Sequence, residues 1–320
     1  MPSMIHEGED SRDVIPMLKA AVEDEHAAVI QYLRHAYKMG EGELACEIEA
    51  IAREEMRHLW ILSRWIVHLG GQPTTQRGFT DLSGANAPEW MQRDVAAEER
   101  AIAMYESYLT RIADPDLLTD IEHILADERR HHGDFTHFVD KTTLALQQAP
   151  VSTEPTVEPA PALAAVDQEA LNWGVNHEYA AVLQYLVHSF LTLDKDEEIS
   201  SQLMTQAINE MQHMGWFGEA LAGGGAEMPL THHPLTLPAD PQAMLEADIQ
   251  LENETATMYG QFLTQMVDPG IKSVVDDARG QELYHENLFG RLLKRLKPLV
   301  APAASPSTRV WTVGTLKRKA

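Results

Sequence analysis

A chain that carries one eleven-residue word twice, about half its length apart, is constrained to fold as two similar units. The word "EHAAVIQYLRH" at 25–35 returns as "EYAAVLQYLVH" at 178–188, an offset of 153 residues. "EMRH" at 55–58 returns as "EMQH" at 210–213, and "ERRH" at 128–131 as "ELYH" at 282–285, at offsets of 155 and 154. Glu98 and Tyr105 match Glu252 and Tyr259, and the "DP" at 114–115 matches that at 268–269. An offset that drifts by two residues is what small loop changes in a duplicated domain produce.

Within each copy, apolar residues recur at helical spacing in four segments. These are roughly 13–38, 42–69, 89–113 and 115–147, then 166–193, 196–222, 240–267 and 269–298. Asp114-Pro115 and Asp268-Pro269 are good helix starts, with aspartate as cap and proline in the first turn. The stretches 70–88 and 223–241 interrupt the pattern between the second and third helices. Connections of that length can run along a bundle, which is the single long crossover of one class of four-helix bundle. The fold class expected is all-α, with two tandem four-helix bundles and long crossovers between helices 2 and 3.

Two proline-rich stretches set the boundaries. "QQAPVSTEPTVEPAPALAAV" at 147–166 has four prolines and no apolar period, and "PLVAPAASPSTRV" at 298–310 is similar. The expected organisation is a first domain over 1–147, a linker over 148–165, a second domain over 166–298, and a tail over 299–320. Other properties exclude whole classes. With 49 acidic against 25 basic residues the net charge is −24, which repels nucleic acid and anionic membranes and concentrates cations. No apolar run is long enough to span a bilayer, and the polar start "MPSMIHEGEDSRD" does not resemble a secretory signal, so a cytoplasmic protein is expected. The one cysteine, Cys46, can form neither an internal disulfide nor a CxxC metal pair.

The chemistry lies in what the four helices of each copy share. Residues three apart on a helix differ by only about 60° in direction, so Glu55 and His58 lie on one face, as do Glu128 and His131. The other two helices each offer one glutamate followed seven residues later by a tyrosine: Glu25 with Tyr32, and Glu98 with Tyr105. Two turns apart, each tyrosine stands above its glutamate. The second copy repeats every element, in Glu178 with Tyr185, Glu210 with His213, Glu252 with Tyr259, and Glu282 with His285. Inward glutamates are costly buried charges unless something pairs with them. A Glu, Glu-x-x-His, Glu, Glu-x-x-His set suits two bridged divalent ions per domain, and carboxylate with imidazole favours iron or manganese.

On these residues both blocks resemble ferritin-like diiron proteins, nearest to the bacterioferritin and rubrerythrin branch. The resemblance implies that the twelve glutamates and histidines bind two irons per domain, where dioxygen or peroxide oxidises Fe(II). It implies a ferroxidase serving iron storage or detoxification, with a rubrerythrin-like or manganese-catalase-like peroxide-removing enzyme as the alternative. Tyr32, Tyr105, Tyr185 and Tyr259 can hydrogen-bond a ligand carboxylate or pass an electron; core packing is their competing role. The chain departs from rubrerythrins in having no cysteine-rich electron-transfer domain and no further glutamate three residues from Glu98 or Glu252. That departure favours the ferroxidase.

Methionines at the position of Met56 and Met211 bind haem between bacterioferritin subunits, so the family implies a haem held by these two residues of one chain. Ordinary interface packing is the stronger reading of both. His35 and His188 lie about 80° around the helix from Glu25 and Glu178 and are assigned to packing or surface. Cys46 falls on the far side of its helix from Glu55 and is left off the metal. Finally, "TVGTLKRK" after a flexible linker resembles the C-terminal peptides that load cargo into encapsulin nanocompartments. Thr312, Val313, Gly314, Thr315, Leu316 and Lys317 would then be the docking segment, Val313 and Leu316 filling apolar pockets of a shell protein. The expected partners are that shell, Fe(II), and dioxygen or peroxide. The two copies would pair either as an intrachain pseudo-dimer or within a homo-oligomer.

Overall fold

The computed structural model describes residues 11–40, 42–148 and 162–296, and these residues form eight α-helices with no strand among them. In chain order they are α1 (Ser11–Met39), α2 (Glu43–His68), α3 (Ala87–Leu109) and α4 (Pro115–Gln148), then α5 (Ala165–Thr192), α6 (Glu197–Gly223), α7 (Pro241–Leu263) and α8 (Pro269–Leu296). Local chemistry fixes most helix starts. Asp114 Oδ1 accepts from the backbone N–H groups of Asp116 and Leu117, and Asp268 Oδ1 from those of Gly270 and Ile271. Asn86 caps α3 by accepting from the Glu89 N–H, while Glu89 reaches back to the Ala85 N–H.

Two helices stop about a turn earlier than their apolar period suggests, at Leu109 instead of 113 and Leu263 instead of 267. In each case a threonine is the cap residue. Thr110 Oγ1 donates to Ser107 O at 2.8 Å and Thr264 Oγ1 to Gln261 O at 2.7 Å, offering the last turn a side-chain partner.

Helices α1–α4 pack as one bundle and α5–α8 as another. Their second and third helices are joined by extended crossovers that lie along the first helix of each bundle. One glutamine in each copy ties its crossover down: Gln31 Oε1 accepts from Asp81 N at 2.7 Å, and Gln184 Oε1 from Thr236 N at 2.8 Å. At Gly78 the crossover comes so near α1 that a Cβ would lie 2.8 Å from Glu23 O, an approach only glycine allows.

The two bundles also pack on each other, α1 against α6 and α2 against α5. The pairing is reciprocal, the first helix of each bundle meeting the second helix of the other. Tyr37 lies over Gly215 and Gly218, where an added Cβ would come within 3.1 Å of its hydroxyl and 2.6 Å of its ring respectively. Trp60 Nε1 donates to Ser189 Oγ at 2.7 Å, His26 Nε2 meets Tyr179 OH at 2.5 Å, and Arg34 pairs with Glu227 at 3.1 Å. Every residue from His177 to Phe190 is buried, because α5 faces its own bundle on one side and the other bundle on the opposite side.

Candidate metal centre

The sequence places one glutamate or one Glu-x-x-His pair on each helix; bundle packing brings them to one point. In the first bundle, donor atoms of Glu25, Glu55, His58 and Glu128 lie within 4.8 Å of one another, and so do those of Glu55, Glu98, Glu128 and His131. Glu55 and Glu128 belong to both groups. The second bundle repeats the arrangement with Glu178, Glu210, His213 and Glu282, and with Glu210, Glu252, Glu282 and His285. All twelve expected residues therefore gather at two buried centres. The motif glutamates stand between two positions, and the lone glutamates Glu25, Glu98, Glu178 and Glu252 stand at the ends.

Histidine Nδ1 atoms point inward. His58 Nδ1 is 2.8 Å from Glu55 Oε2 and 2.9 Å from Glu128 Oε1, and His213 Nδ1 stands at the same distances from Glu210 and Glu282. His131 Nδ1 lies 2.8 Å from Glu55 and His285 Nδ1 2.7 Å from Glu210. Several of these atoms are buried without a hydrogen bond of acceptable geometry, among them Glu55 Oε1, Glu98 Oε2, His131 Nδ1, both Glu210 oxygens and His285 Nδ1. Carboxylate and imidazole donors crowded into one buried space are what cations require. The residues fit a pair of metal ions.

Each tyrosine serves the glutamate of the opposite helix. Tyr32 donates to Glu98 and Tyr185 to Glu252, both at 2.6 Å, while Tyr105 donates to Glu25 and Tyr259 to Glu178. The seven-residue spacing stacks a tyrosine over its own glutamate, but its reach carries the hydroxyl across the bundle. Burial holds all four phenols well above their ordinary range, so they remain hydrogen-bond donors.

The structure also decides the roles of the remaining residues. His35 and His188 are fully buried, which excludes the surface role and leaves packing; they bond Asp94 Oδ1 at 2.8 Å and Asp248 Oδ1 at 2.9 Å. Those aspartates also accept from Gln31 and Gln184, at 2.9 Å each. Asp94 and Asp248 were missed as functional supports, although each precedes a ligand glutamate by four residues at the repeat offset. Met56 and Met211 line one void between the bundles, with Ile30, Leu59, Val182 and Leu186. Its volume is about 10 Å³, room for about one water molecule, so the residues do not fit a haem and the two methionines act as packing. Cys46 is exposed. The segment Thr312–Lys317 lies outside the described residues.

Without metal these centres hold protons. Burial raises the Glu25 carboxyl to about 8, the nearby His58 opposing. At His131 burial works downward, but Glu55, Glu98 and Glu54 together outweigh it and raise the imidazole to about 9. Burial also tends to raise Glu55, yet His131 and His58 hold that carboxyl below its ordinary range. Glu25 and His131 both have folded-state values above their unfolded ones, so the folded chain binds the extra protons. Their contribution is complete below the unfolded values and is lost as pH rises through about 8 and about 9. The metal-free chain is therefore expected to melt at a lower temperature at pH 9 than at pH 6.5. The metal-loaded chain, with those protons displaced, should show a smaller fall. Thermal melts of both forms at the two values check this.

The Ferritin-like family model matches residues 18–101, and the Ferritin model, described as a ferritin-like domain, matches 168–299. A bacterioferritin of Desulfovibrio desulfuricans is 32% identical over 124 residues, covering 37% of this chain and 69% of that protein. The X-ray structure of the D. desulfuricans bacterioferritin, which follows its diiron site in different catalytic states, is 28% identical with a TM-score of 0.40. That match covers 42% of this chain and 82% of the other. A mycobacterial bacterioferritin structure is 29% identical with a TM-score of 0.38, covering 42% and 89%. No helix among the described residues is long and apolar enough to cross a membrane.

Proposed function

The chain belongs to the ferritin-like family, with two ferritin-like domains in tandem, and from this premise we propose that each bundle is a ferroxidase centre taking Fe(II) as its substrate. The observation that carries the reading is the sharing of two buried glutamates between two ligand groups in each bundle, Glu55 with Glu128 and Glu210 with Glu282. Shared carboxylates hold two Fe(II) ions as a pair, so two electrons leave together. Two Fe(II) with two protons convert one dioxygen to one hydrogen peroxide, or one hydrogen peroxide to two waters, and two Fe(III) result. Tyr32, Tyr105, Tyr185 and Tyr259 fix the terminal carboxylates by donating to them, which limits how far those ligands swing as charge builds. The net charge of −24 draws Fe(II) toward the chain, an effect that weakens with added salt.

The test is metal content followed by stopped-flow mixing of Fe(II)-loaded protein with dioxygen or with hydrogen peroxide. About two irons per bundle, oxidised on mixing, support the ferroxidase. Catalytic disappearance of peroxide without net iron oxidation would instead favour the peroxide-removing or manganese enzyme.

The same proposal includes a shell. Residues 312–317 follow a Pro/Ala/Ser-rich stretch and carry two apolar residues around a glycine, a form suited to docking in the pockets of an encapsulin interior. The mineral would then collect in the shell's cavity. Co-expression with a shell protein should co-purify the full chain and lose it when 312–320 are deleted; equal recovery of both would sink the idea.

A further inference from the structure

The two centres match ligand for ligand, but the groups bonded to the outer face of their histidines do not. In the first bundle both outer nitrogens meet carboxylates: His131 Nε2 lies 2.8 Å from Glu54 Oε2, and His58 Nε2 3.4 Å from Asp127 Oδ2. Arg130 bonds both Glu54 and Asp127, the latter at 2.8 Å, and holds the two acids at the rim of the site. Two carboxylates and one guanidinium leave one net negative charge there.

The repeat places amides and a phenol at these positions in the second bundle. Gln281 stands where Asp127 does, Asn209 where Glu54 does, and Tyr284 where Arg130 does. His213 Nε2 meets Gln281 Oε1 at 2.9 Å, so one outer bond survives with a neutral acceptor. The Asn209 amide is turned along its own helix, donating to Gln206 Oε1 at 3.0 Å. The rim carries no charge from these three residues.

We propose that the two centres are graded, the first bundle binding divalent metal more tightly and filling before the second, with Glu54 and Asp127 as the positioning residues that set the difference. This inference rests on the reading of both clusters as dinuclear metal sites. A histidine that gives its outer N–H to a carboxylate is a stronger electron donor at its inner nitrogen than one facing an amide, and it is held more firmly in orientation. Loss of such a partner lowers metal affinity by roughly 10–100-fold, which sets the size of the expected gap. Because the ligands are the same in kind and number, nothing in them opposes it.

The test uses the full, metal-free chain titrated with Co(II), followed by calorimetry and by the visible absorption of the bound ion. Two phases are expected, separated by roughly 10–100-fold in affinity. Glu55→Ala should delete the tighter phase and Glu210→Ala the weaker one. Glu54→Asn with Asp127→Gln should move the tight phase onto the weak one. The reverse exchange, Asn209→Glu with Gln281→Asp, should tighten the second phase, a gain that loss of structure cannot produce. Glu54 and Asp127 are partly exposed, so these changes leave the core intact, and circular dichroism checks it. A single affinity for all sites, or a tight phase that survives Glu55→Ala, would overturn the grading while leaving the metal sites standing. No Co(II) bound by either bundle would overturn the dinuclear reading itself.

Discussion

Replacing Glu55 with alanine is expected to remove both metal ions from the first bundle and to leave the second bundle's ions in place. Glu55 contributes an oxygen to each of the two ligand groups, whereas Glu25 contributes to one. Metal content should fall from about four ions per chain to about two in Glu55→Ala. In Glu25→Ala, where one position keeps all its ligands, it should fall by at most about one. The chain should stay folded, since the change removes a buried carboxylate held among three others. Fe(II) oxidation at that bundle needs a pair of ions, so the variant should keep about half the fast phase. The double change Glu55→Ala with Glu210→Ala should slow oxidation by at least about 100-fold, the upper effect of losing even an outer partner of a metal ligand. Metal analysis and single-turnover stopped-flow read these outcomes separately. If Glu25→Ala and Glu55→Ala lose the same amount of metal, the assignment of Glu55 as the shared ligand is wrong.

The largest stability effect is expected at a residue that touches no metal. Asp94 is fully buried and accepts from His35 Nδ1 at 2.8 Å and from Gln31 Nε2 at 2.9 Å. Gln31 in turn holds the crossover through Asp81 N, so Asp94 anchors α1, α3 and the crossover together. Asp94→Ala strands two buried donors and should cost about 3–5 kcal/mol, the range for breaking a buried polar pair. Asp94→Asn keeps an acceptor and should cost less. Glu106→Ala, which removes an exposed pair with Arg129, should cost no more than about 1 kcal/mol. Urea unfolding of the three variants measures the differences. A loss within about 1 kcal/mol for Asp94→Ala would mean that His35 and Gln31 find other partners.

Much of the site was legible because helical geometry is local. A separation of three residues puts Glu55 beside His58 in any straight helix, and the repeat supplied an independent second instance. Asp94 and Asp248 were open to the same reading, since four residues before Glu98 and Glu252 is also one turn. They were missed because an aspartate on an acidic helix carries no signal until its partners, His35 and Gln31, are seen across the bundle. The outer carboxylates Glu54 and Asp127 are hidden for the same reason. Each is a lone acid beside a ligand, and only the neighbouring helix gives it a histidine to hold. The helix ends at Leu109 and Leu263 escaped because the apolar period runs on past them.

The sequence by itself determined the two four-helix units, the twelve residues that face their interiors and the length of the crossovers. Periodicity and spacing along one helix are enough for that. Tertiary structure alone decided which glutamates are shared, that each tyrosine serves the glutamate opposite, and that the bundles join through α1, α2, α5 and α6. It also decided that Met56 and Met211 line a shared void too small for a large cofactor. These are relations between helices. They depend on how side chains such as Tyr37 over Gly215 and Gly218 set the distance between two surfaces, and no spacing along a single helix records that distance.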